Sequence, residues 1–205
     1  YRAPVYTHLS ETTAEVVGCE ERYGSSPVKT LAEMGLWEYG GGGFHCVHVS
    51  EEDMDIIKEK GIYVVTNPAS NAKLASGIAP ICAMLEREIP LAIGTDGPAS
   101  NNCLDMFREM FLVTGLAKLR EQNAAACPAE AVLKMATVGG AAAMGLKDCD
   151  CIAEGKQADL IVIDLHQPNM QPEHNLTKNL VYSGSKQNVQ LTMIAGKILY
   201  ENGTF

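Results

Sequence analysis

Short apolar runs alternate along the first two thirds of the chain with longer stretches in which apolar residues recur at helical spacing. The apolar runs predict four strands, at residues 5–9, 44–49, 62–65 and 90–94. The helical spacing predicts helices at residues 12–23, 27–36, 50–60, 78–87 and 104–121. The glycine-rich run at residues 39–43 predicts a loop, because so many glycines cost too much conformational entropy inside a helix or strand. Near-continuously apolar strands that alternate with helices indicate an α/β fold with a parallel sheet covered by helices.

The pattern changes after Gly145, where strands are expected to follow one another without helices between them. Residues 158–164 and 179–182 predict two strands, and residues 190–195 with 197–200 predict a hairpin around Ala195-Gly196. Such strands pair antiparallel in a small sheet beside the larger unit. We therefore divide the chain into a first domain at residues 1–150 and a second at residues 151–205.

Composition and charge narrow the range of partners. The chain has 205 residues, 46% of them hydrophobic, so it can bury a sizeable core. Its net charge is −9 without a basic cluster, which argues against nucleic acid as a partner. Since no apolar run approaches the roughly 20 residues of a membrane span, we expect no membrane association. The seven cysteines are scattered without CxxC spacing, which favours reduced thiols in the cytoplasm over disulfides or a structural zinc cage.

Three of the predicted strands deliver a side chain able to bind a metal or transfer a proton at their carboxyl ends. These side chains are His8, His45 and Asp96. The carboxyl ends of parallel strands are where α/β enzymes keep their chemistry. Because three strands in order show this feature, the sequence predicts a single site built from them.

Each candidate residue also has a structural interpretation. Glu11 could be an acid favoured by the dipole of the following helix, with His8 a hydrogen-bonded structural histidine; alternatively His8 binds a metal and Glu11 carries a proton. His45 and His48 alternate along the predicted strand, so they should face opposite sides of it and cannot be joint ligands. Of the two, His45 is slightly preferred as the functional residue.

Two loops complete the candidate set. Residues 67–71 contain Pro, Ser and Asn, which favour a structural loop. Asp96 ends an apolar strand, and a carboxylate there needs a cation or several hydrogen bonds to remain charged. A metal ion would supply that cation. His166 and His174 lie in a polar stretch and are expected at the surface.

Five sequence strings, in this order, resemble the amidohydrolase superfamily of metal-dependent hydrolases. The resemblance covers essentially the whole chain and is strongest to its group of 5-methylthioadenosine/S-adenosylhomocysteine deaminases, with guanine deaminases and chlorohydrolase-like enzymes nearby. The strings are HLSET at 8–12, HCVH at 45–48, NPASN at 67–71, GTDGPASNN at 94–102 and GKQADL at 155–160.

This resemblance implies a fold that the chain contains only in part. It implies the C-terminal half of a TIM-type (β/α)8 barrel, strands five to eight, joined to part of a small accessory β-sandwich. Relatives carry two further metal ligands in a His-x-His on strand one, and nothing before Val5 can supply them. The resemblance therefore implies a missing N-terminal half of the barrel as a partner, and it suggests a homo-oligomer.

The resemblance also implies a role for each candidate residue. His8 and Asp96 would bind one divalent metal ion, with zinc as the first expectation and iron or another divalent ion as alternatives. Asp96 would accept a proton from the attacking water, and Glu11 would carry a proton to the purine ring. His45 would hydrogen-bond the attacking water or the developing alkoxide. Glu11 and His45 would thus also contact the substrate.

The function implied for the whole protein is metal-dependent hydrolytic deamination of an adenosine-type purine nucleoside, such as S-adenosylhomocysteine, 5-methylthioadenosine or adenosine. Guanine deamination and chlorohydrolase-like hydrolysis are the alternative activities. A further alternative is a catalytically silent structural fragment. Because His8 and Asp96 alone leave a metal ion half-ligated, we expect the isolated chain to have little or no activity.

Overall fold

Four parallel strands form the first sheet of the chain, as the sequence predicts. The computed structural model describes residues 2–205. The strands pair in chain order, β1–β2–β3–β4, and every pairing is parallel. Their bounds are Val5–Leu9 for β1, Gly41–His45 for β2, Tyr63–Thr66 for β3 and Leu91–Ile93 for β4. The predicted α/β class with a parallel sheet is therefore confirmed.

Helices connect these strands and continue beyond β4. Several begin with side-chain caps; for example, Ser50 and Asp53 form a reciprocal capping box at the start of α3. The helices are α1 (Thr13–Tyr23), α2 (Pro27–Glu33), α3 (Glu51–Lys60), α4 (Pro68–Lys73), α5 (Ile81–Glu86), α6 (Pro98–Asn101), α7 (Met106–Glu121), α8 (Ala129–Lys134), α9 (Gly140–Ala143) and α10 (Leu176–Tyr182). A π-helical segment, Met135–Gly139, joins α8 to α9 and packs against β4.

The prediction of a loop at residues 39–43 is wrong for its last three glycines, which open β2. All three are buried, and strands β1 and β3 flank them. A Cβ atom at Gly41, whose φ is 129°, would overlap the carbonyl oxygen of Val5 on β1. Close approach of neighbouring backbones therefore explains these glycines better than flexibility does.

Two further secondary-structure predictions are wrong. Residues 67–71, expected as a loop, lie largely in α4, where Pro68 occupies the first helical turn and its missing N–H costs nothing. Residues 179–182, expected as a strand, lie in α10, which is capped by the side chain of Asn175.

The second sheet is smaller and antiparallel, as expected. Its strands, in the order β5–β6–β7, are Leu160–Ile163, Val189–Ile194 and Lys197–Glu201. Contrary to the prediction, α10 and two 3-10 turns, Pro168–Met170 and Lys186–Asn188, separate β5 from β6. The boundary between domains at residues 150 and 151 stays a prediction.

The hydrophobic core lies between the parallel sheet and its helices. Leu9, Ile57, Val64 and Met84 are fully buried in it, and Val181 of α10 joins the same cluster. All seven cysteines are free. Across residues 2–205, no helix is both long and apolar enough to cross a membrane.

Candidate active site

The four side chains singled out in the sequence lie together at the carboxyl ends of the strands. The imidazole rings of His8 and His45 stack with their centroids 5.3 Å apart. The Nε2 atom of His45 lies 3.7 Å from Glu11 Oε2 and 4.0 Å from Asp96 Oδ2. The structure therefore brings His8, Glu11, His45 and Asp96 into one cluster, while His166 and His174 are exposed at the surface, as expected.

The backbone conformation of His45 turns its ring towards His8. In the register of the sheet, His45 pairs with Leu9, a buried core residue on the other face of β1 from His8. Strand alternation alone would place the His45 side chain on the Leu9 face. The left-handed backbone of His45, with φ 72°, ends the strand and allows the ring to stack on His8 instead.

The argument that His45 and His48 alternate on one strand is therefore wrong, although the preference for His45 agrees with the structure. Strand β2 ends at His45, and Cys46 also has a left-handed backbone, with φ 48°. His48 lies beyond the strand, at a bend of the chain. Its Nε2 atom is 2.6 Å from the carbonyl oxygen of Ser76, which can only accept, so Nε2 carries the proton.

Asn71 orients the His45 ring. The Oδ1 atom of Asn71 lies 2.7 Å from Nδ1 of His45, and both residues are buried. When Nδ1–H donates this hydrogen bond, Nε2 is the ring atom that faces the carboxylates of Glu11 and Asp96. Among the described residues, the buried Nε2 has no hydrogen-bond partner. It is thus a polar atom available to a ligand in the cluster.

Three hydrogen bonds fix the carboxylate of Asp96. Ser70 Oγ and Ser100 Oγ donate to Oδ2 at 2.6 and 2.8 Å, and the backbone N–H of Gly97 donates to Oδ1 at 2.7 Å. Burial raises the pKa of Asp96, but these hydrogen bonds, with a smaller contribution from His45, outweigh burial and hold the pKa below its ordinary value. Asp96 is therefore an ionised carboxylate at neutral pH, able to bind a cation or accept a proton.

Hydrogen bonds on both sides hold the turn that carries Glu11. The carboxylate of Glu15, in α1, accepts from the backbone N–H groups of Ser10 and Glu11, both at 2.8 Å. The side chain of Glu11 accepts a hydrogen bond from Ser76 Oγ at 3.1 Å. Glu11 is only partly buried, so part of the residue is exposed to solvent.

A buried carboxylate that the sequence analysis missed joins the loops after β3 and β4. Glu109 of α7 is fully buried and accepts from the backbone N–H of Ala69 at 3.0 Å and from Asn101 Nδ2 at 2.8 Å. Asn101 Nδ2 also donates to the carbonyl oxygen of Thr95, next to Asp96. Burial raises the pKa of Glu109 despite these hydrogen bonds. An acidic residue inside a long helix gives no sequence signal for this role.

The serines and asparagines of the site were also missed as individual residues. Ser70, Asn71 and Ser100 lie in the two strings, at 67–71 and 94–102, that were noted for their resemblance. Ser76 lies outside every such string. The one sequence feature that could have identified Ser70, Asn71 and Ser100 was therefore their place in a family-like string. No such feature marked Ser76.

The donor set fits part of a divalent metal site. Imidazole nitrogen from His8 and carboxylate oxygen from Asp96 are zinc ligands by type, and the partnerless Nε2 of His45 faces the same cluster. Within residues 2–205, however, no group of three or more His, Cys, Asp or Glu side chains is arranged to hold a metal ion. Since a catalytic zinc takes three protein ligands, the described chain carries only some of the ligands such a site needs.

Comparison with known proteins assigns the chain to a family. The sequence profile of the amidohydrolase family matches residues 1–199. The chain belongs to the amidohydrolase family.

Several of the similar proteins are deaminases. The chain is 44% identical over 197 residues to a 5-methylthioadenosine/S-adenosylhomocysteine deaminase from Dictyoglomus thermophilum, covering 96% of this chain and 46% of that protein. A crystal structure of an adenosine deaminase from Xanthomonas campestris with bound zinc matches with a TM-score of 0.92 and 39% identity, covering 97% of this chain and 46% of that one. A guanine deaminase from C. acetobutylicum with bound guanine matches with a TM-score of 0.86 and 25% identity. This match covers 98% of this chain and 49% of that one.

The chain spans about half the length of the relatives that it matches. Four parallel strands in chain order, with helices between them, are half of an eight-stranded barrel. The structure therefore corresponds to roughly half of a TIM-barrel enzyme.

Proposed function

We propose that this chain is the C-terminal half of a metal-dependent deaminase that hydrolyses the amino group from an adenosine-type purine nucleoside, such as S-adenosylhomocysteine, 5-methylthioadenosine or adenosine. The observation that carries this proposal is the cluster of His8, Glu11, His45 and Asp96 at the strand ends. The deaminase names of relatives at 44% and 39% identity support the substrate class.

In this proposal, His8 and Asp96 hold one divalent metal ion together with ligands from the rest of the protein. Zinc is the expected ion, because the adenosine deaminase from Xanthomonas campestris contains it, and iron or another divalent ion is the alternative. When bound, the ion lowers the pKa of water and so supplies a nucleophile at neutral pH.

The residues of this chain move the protons. Asp96 is ionised and accepts a proton from the attacking water. Glu11 carries a proton to the purine ring, which makes the ring carbon more electrophilic. His45, fixed through Nδ1 by Asn71, uses Nε2 to hydrogen-bond the attacking water or the developing alkoxide. The proton that Asp96 accepts passes to the amino group, the carbon–nitrogen bond breaks, and ammonia leaves from the carbon that the water attacked.

The missing half of the barrel is the partner that this proposal needs. The sheet face that carries Tyr6, His8 and Phe44 is only partly covered by this chain. In a complete barrel that face would close against strands one to four. We further propose that β5–β7 belong to an accessory β-sandwich of a second domain at residues 151–205, and that the whole protein is a cytoplasmic homo-oligomer.

Release of ammonia by the full-length, zinc-loaded protein tests the proposal. We expect release from adenosine, 5-methylthioadenosine or S-adenosylhomocysteine, and its loss in the His8→Ala and Asp96→Asn variants. Ser25→Ala is a control, because Ser25 hydrogen-bonds Thr30 outside the site. Release from guanine alone, or chloride release from a chlorinated ring, would identify an alternative amidohydrolase activity. No turnover of any of these compounds would favour a catalytically silent protein.

A further inference from the structure

Ser76 connects the proton-carrying carboxylate to a histidine outside the catalytic cluster. Its hydroxyl donates to Glu11 Oε1 at 3.1 Å, and its carbonyl oxygen accepts from His48 Nε2 at 2.6 Å. Ser76 is buried, with 6% of its surface exposed. Among the described residues, its hydroxyl has no other hydrogen-bond partner. The side chain of Ser76 is therefore committed to Glu11.

The segment around Ser76 is held close to the site. The backbone N–H of Ser76 donates to the carbonyl oxygen of Asn71 at 2.9 Å, and the side chain of Asn71 orients His45. Gly77 follows with φ 126°, and a Cβ there would lie 2.9 Å from Val47 Cγ1 and 3.6 Å from the ring of His48. Glycine at this position thus allows the segment to approach His48 closely.

The two oxygens of the Glu11 carboxylate have different surroundings. Oε1 accepts from Ser76, whereas Oε2 faces Nε2 of His45 at 3.7 Å without a hydrogen bond. A carboxylate held through one oxygen keeps the other aimed in a fixed direction. Fixed orientation of an acid or base is worth more than its presence alone, because proton transfer needs reacting atoms within hydrogen-bond reach.

We infer that Ser76 and His48 are positioning residues for Glu11: the Ser76 hydroxyl fixes Oε1 so that Oε2 delivers the proton, and His48 fixes Ser76 through its carbonyl oxygen. This inference rests on the proposed role of Glu11 as proton carrier. It also assigns a function to His48, which does not contribute a ligand to the catalytic cluster. Instead, His48 holds Ser76, whose hydroxyl binds Glu11.

The Ser76→Ala variant of the full-length, zinc-loaded protein tests the inference. We expect kcat to fall about tenfold, the scale of one hydrogen bond to a charged group, with KM and bound zinc within about twofold of the wild type. The solvent deuterium isotope effect on kcat should rise, because proton transfer becomes more rate-limiting. Ser25→Ala, which removes a comparable hydroxyl outside the site, should leave kcat unchanged.

Two changes at His48 provide a second test. His48→Ala should lower kcat in the same way as Ser76→Ala. His48→Gln, whose amide can still donate to the Ser76 carbonyl oxygen, should recover most of the lost rate. The double variant Ser76→Ala with His48→Ala should be no slower than Ser76→Ala alone, because both act through Glu11.

The possible failures are distinguishable. An active wild-type enzyme with unchanged kcat and isotope effect in Ser76→Ala and His48→Ala would overturn the inference and leave the proposed function standing. Loss of bound zinc together with activity in these variants would also overturn it, because the residues would then act on the metal site. A wild-type protein without deaminase activity would overturn the proposed function itself.

Discussion

Asp96 combines a left-handed backbone with a carboxylate fixed by hydrogen bonds. Its backbone is left-handed, with φ 58°, and its carboxylate accepts three hydrogen bonds. A non-glycine residue in this conformation costs on the order of 1–3 kcal/mol, which the surrounding contacts must offset. The cost is consistent with a side chain that is aimed at a site.

The lowered pKa of Asp96 predicts how the stability of metal-free protein depends on pH. Because the folded pKa lies below the ordinary value of 3.8, the stabilisation from Asp96 is present above that pH and is lost as pH falls through the folded pKa. Asp96→Asn lacks this titration. We therefore expect the difference in free energy of unfolding between wild type and variant to shrink below pH 3.8.

Urea unfolding of the chelator-treated full-length protein at a series of pH values between about 6 and 3 measures this difference. A difference that stays constant across the series would contradict the hydrogen-bonded, ionised state of Asp96 described here.

Glu109 supports a second prediction at the residue scale. In Glu109→Gln, the single amide oxygen can accept from only one of the two donors, the N–H of Ala69 and the side chain of Asn101. One buried N–H hydrogen is then left without its acceptor, so the variant should lose about 1–3 kcal/mol of stability at pH 7.

Denaturant unfolding checks this loss, with Glu154→Gln as the matched control. Glu154 is exposed, and its change should alter stability by less than about 0.5 kcal/mol. Equal effects of the two substitutions would show that Glu109 does not connect the loops after β3 and β4.

At the scale of the elements, β2 shows most clearly how packing overrides local preference. Its three glycines weaken a strand in isolation, yet they lie between β1 and β3 where side chains do not fit. At Gly42, a Cβ would overlap the carbonyl oxygen of Tyr63 and approach Tyr6 Cε1 to 2.6 Å. The tyrosine ring can move, but the backbone of β3 cannot move without disturbing the sheet.

Gly42→Ala is therefore expected to destabilise the protein by about 1–3 kcal/mol, the usual cost of overpacking. Gly115→Ala is the opposite case, because nothing lies within 4 Å of its Cβ position in α7. Alanine there should stabilise the helix by about 0.5–1 kcal/mol. Thermal unfolding of both variants measures the contrast, and a neutral Gly42→Ala would contradict the close packing of β2.

The sequence predicts those elements that local chemistry defines. Apolar runs and caps predict strands β1, β3 and β4 and helices such as α3. The same pattern located His8 at the end of β1 and Asp96 after β4. The start of β2 depends on contacts distant in sequence, which a local pattern does not contain. For the same reason, the left-handed turn at His45 could not be predicted from its identity. For α10, the local cap by Asn175 was the signal that the strand prediction overlooked.

At the scale of the whole molecule, the chain corresponds to about half of a barrel and carries part of the proposed metal site. Strands β1 and β4 form the two edges of the parallel sheet. Donors of the site lie at the ends of β1, β2 and β4, but among residues 2–205 no complete set of metal ligands exists. Under the proposed function, the same additional residues would close the barrel and complete the metal site.

Incorporation of oxygen from labelled water into the product tests the proposed chemistry most directly. The full-length, zinc-loaded protein is incubated with 5-methylthioadenosine in water enriched in oxygen-18. The mass of the purine product is then measured by mass spectrometry. We predict one labelled oxygen at the carbon that loses ammonia, and no product from the isolated chain or from Asp96→Asn. Product without label, or no product from the full-length protein with any adenosine-type substrate, would contradict hydrolytic deamination at this site.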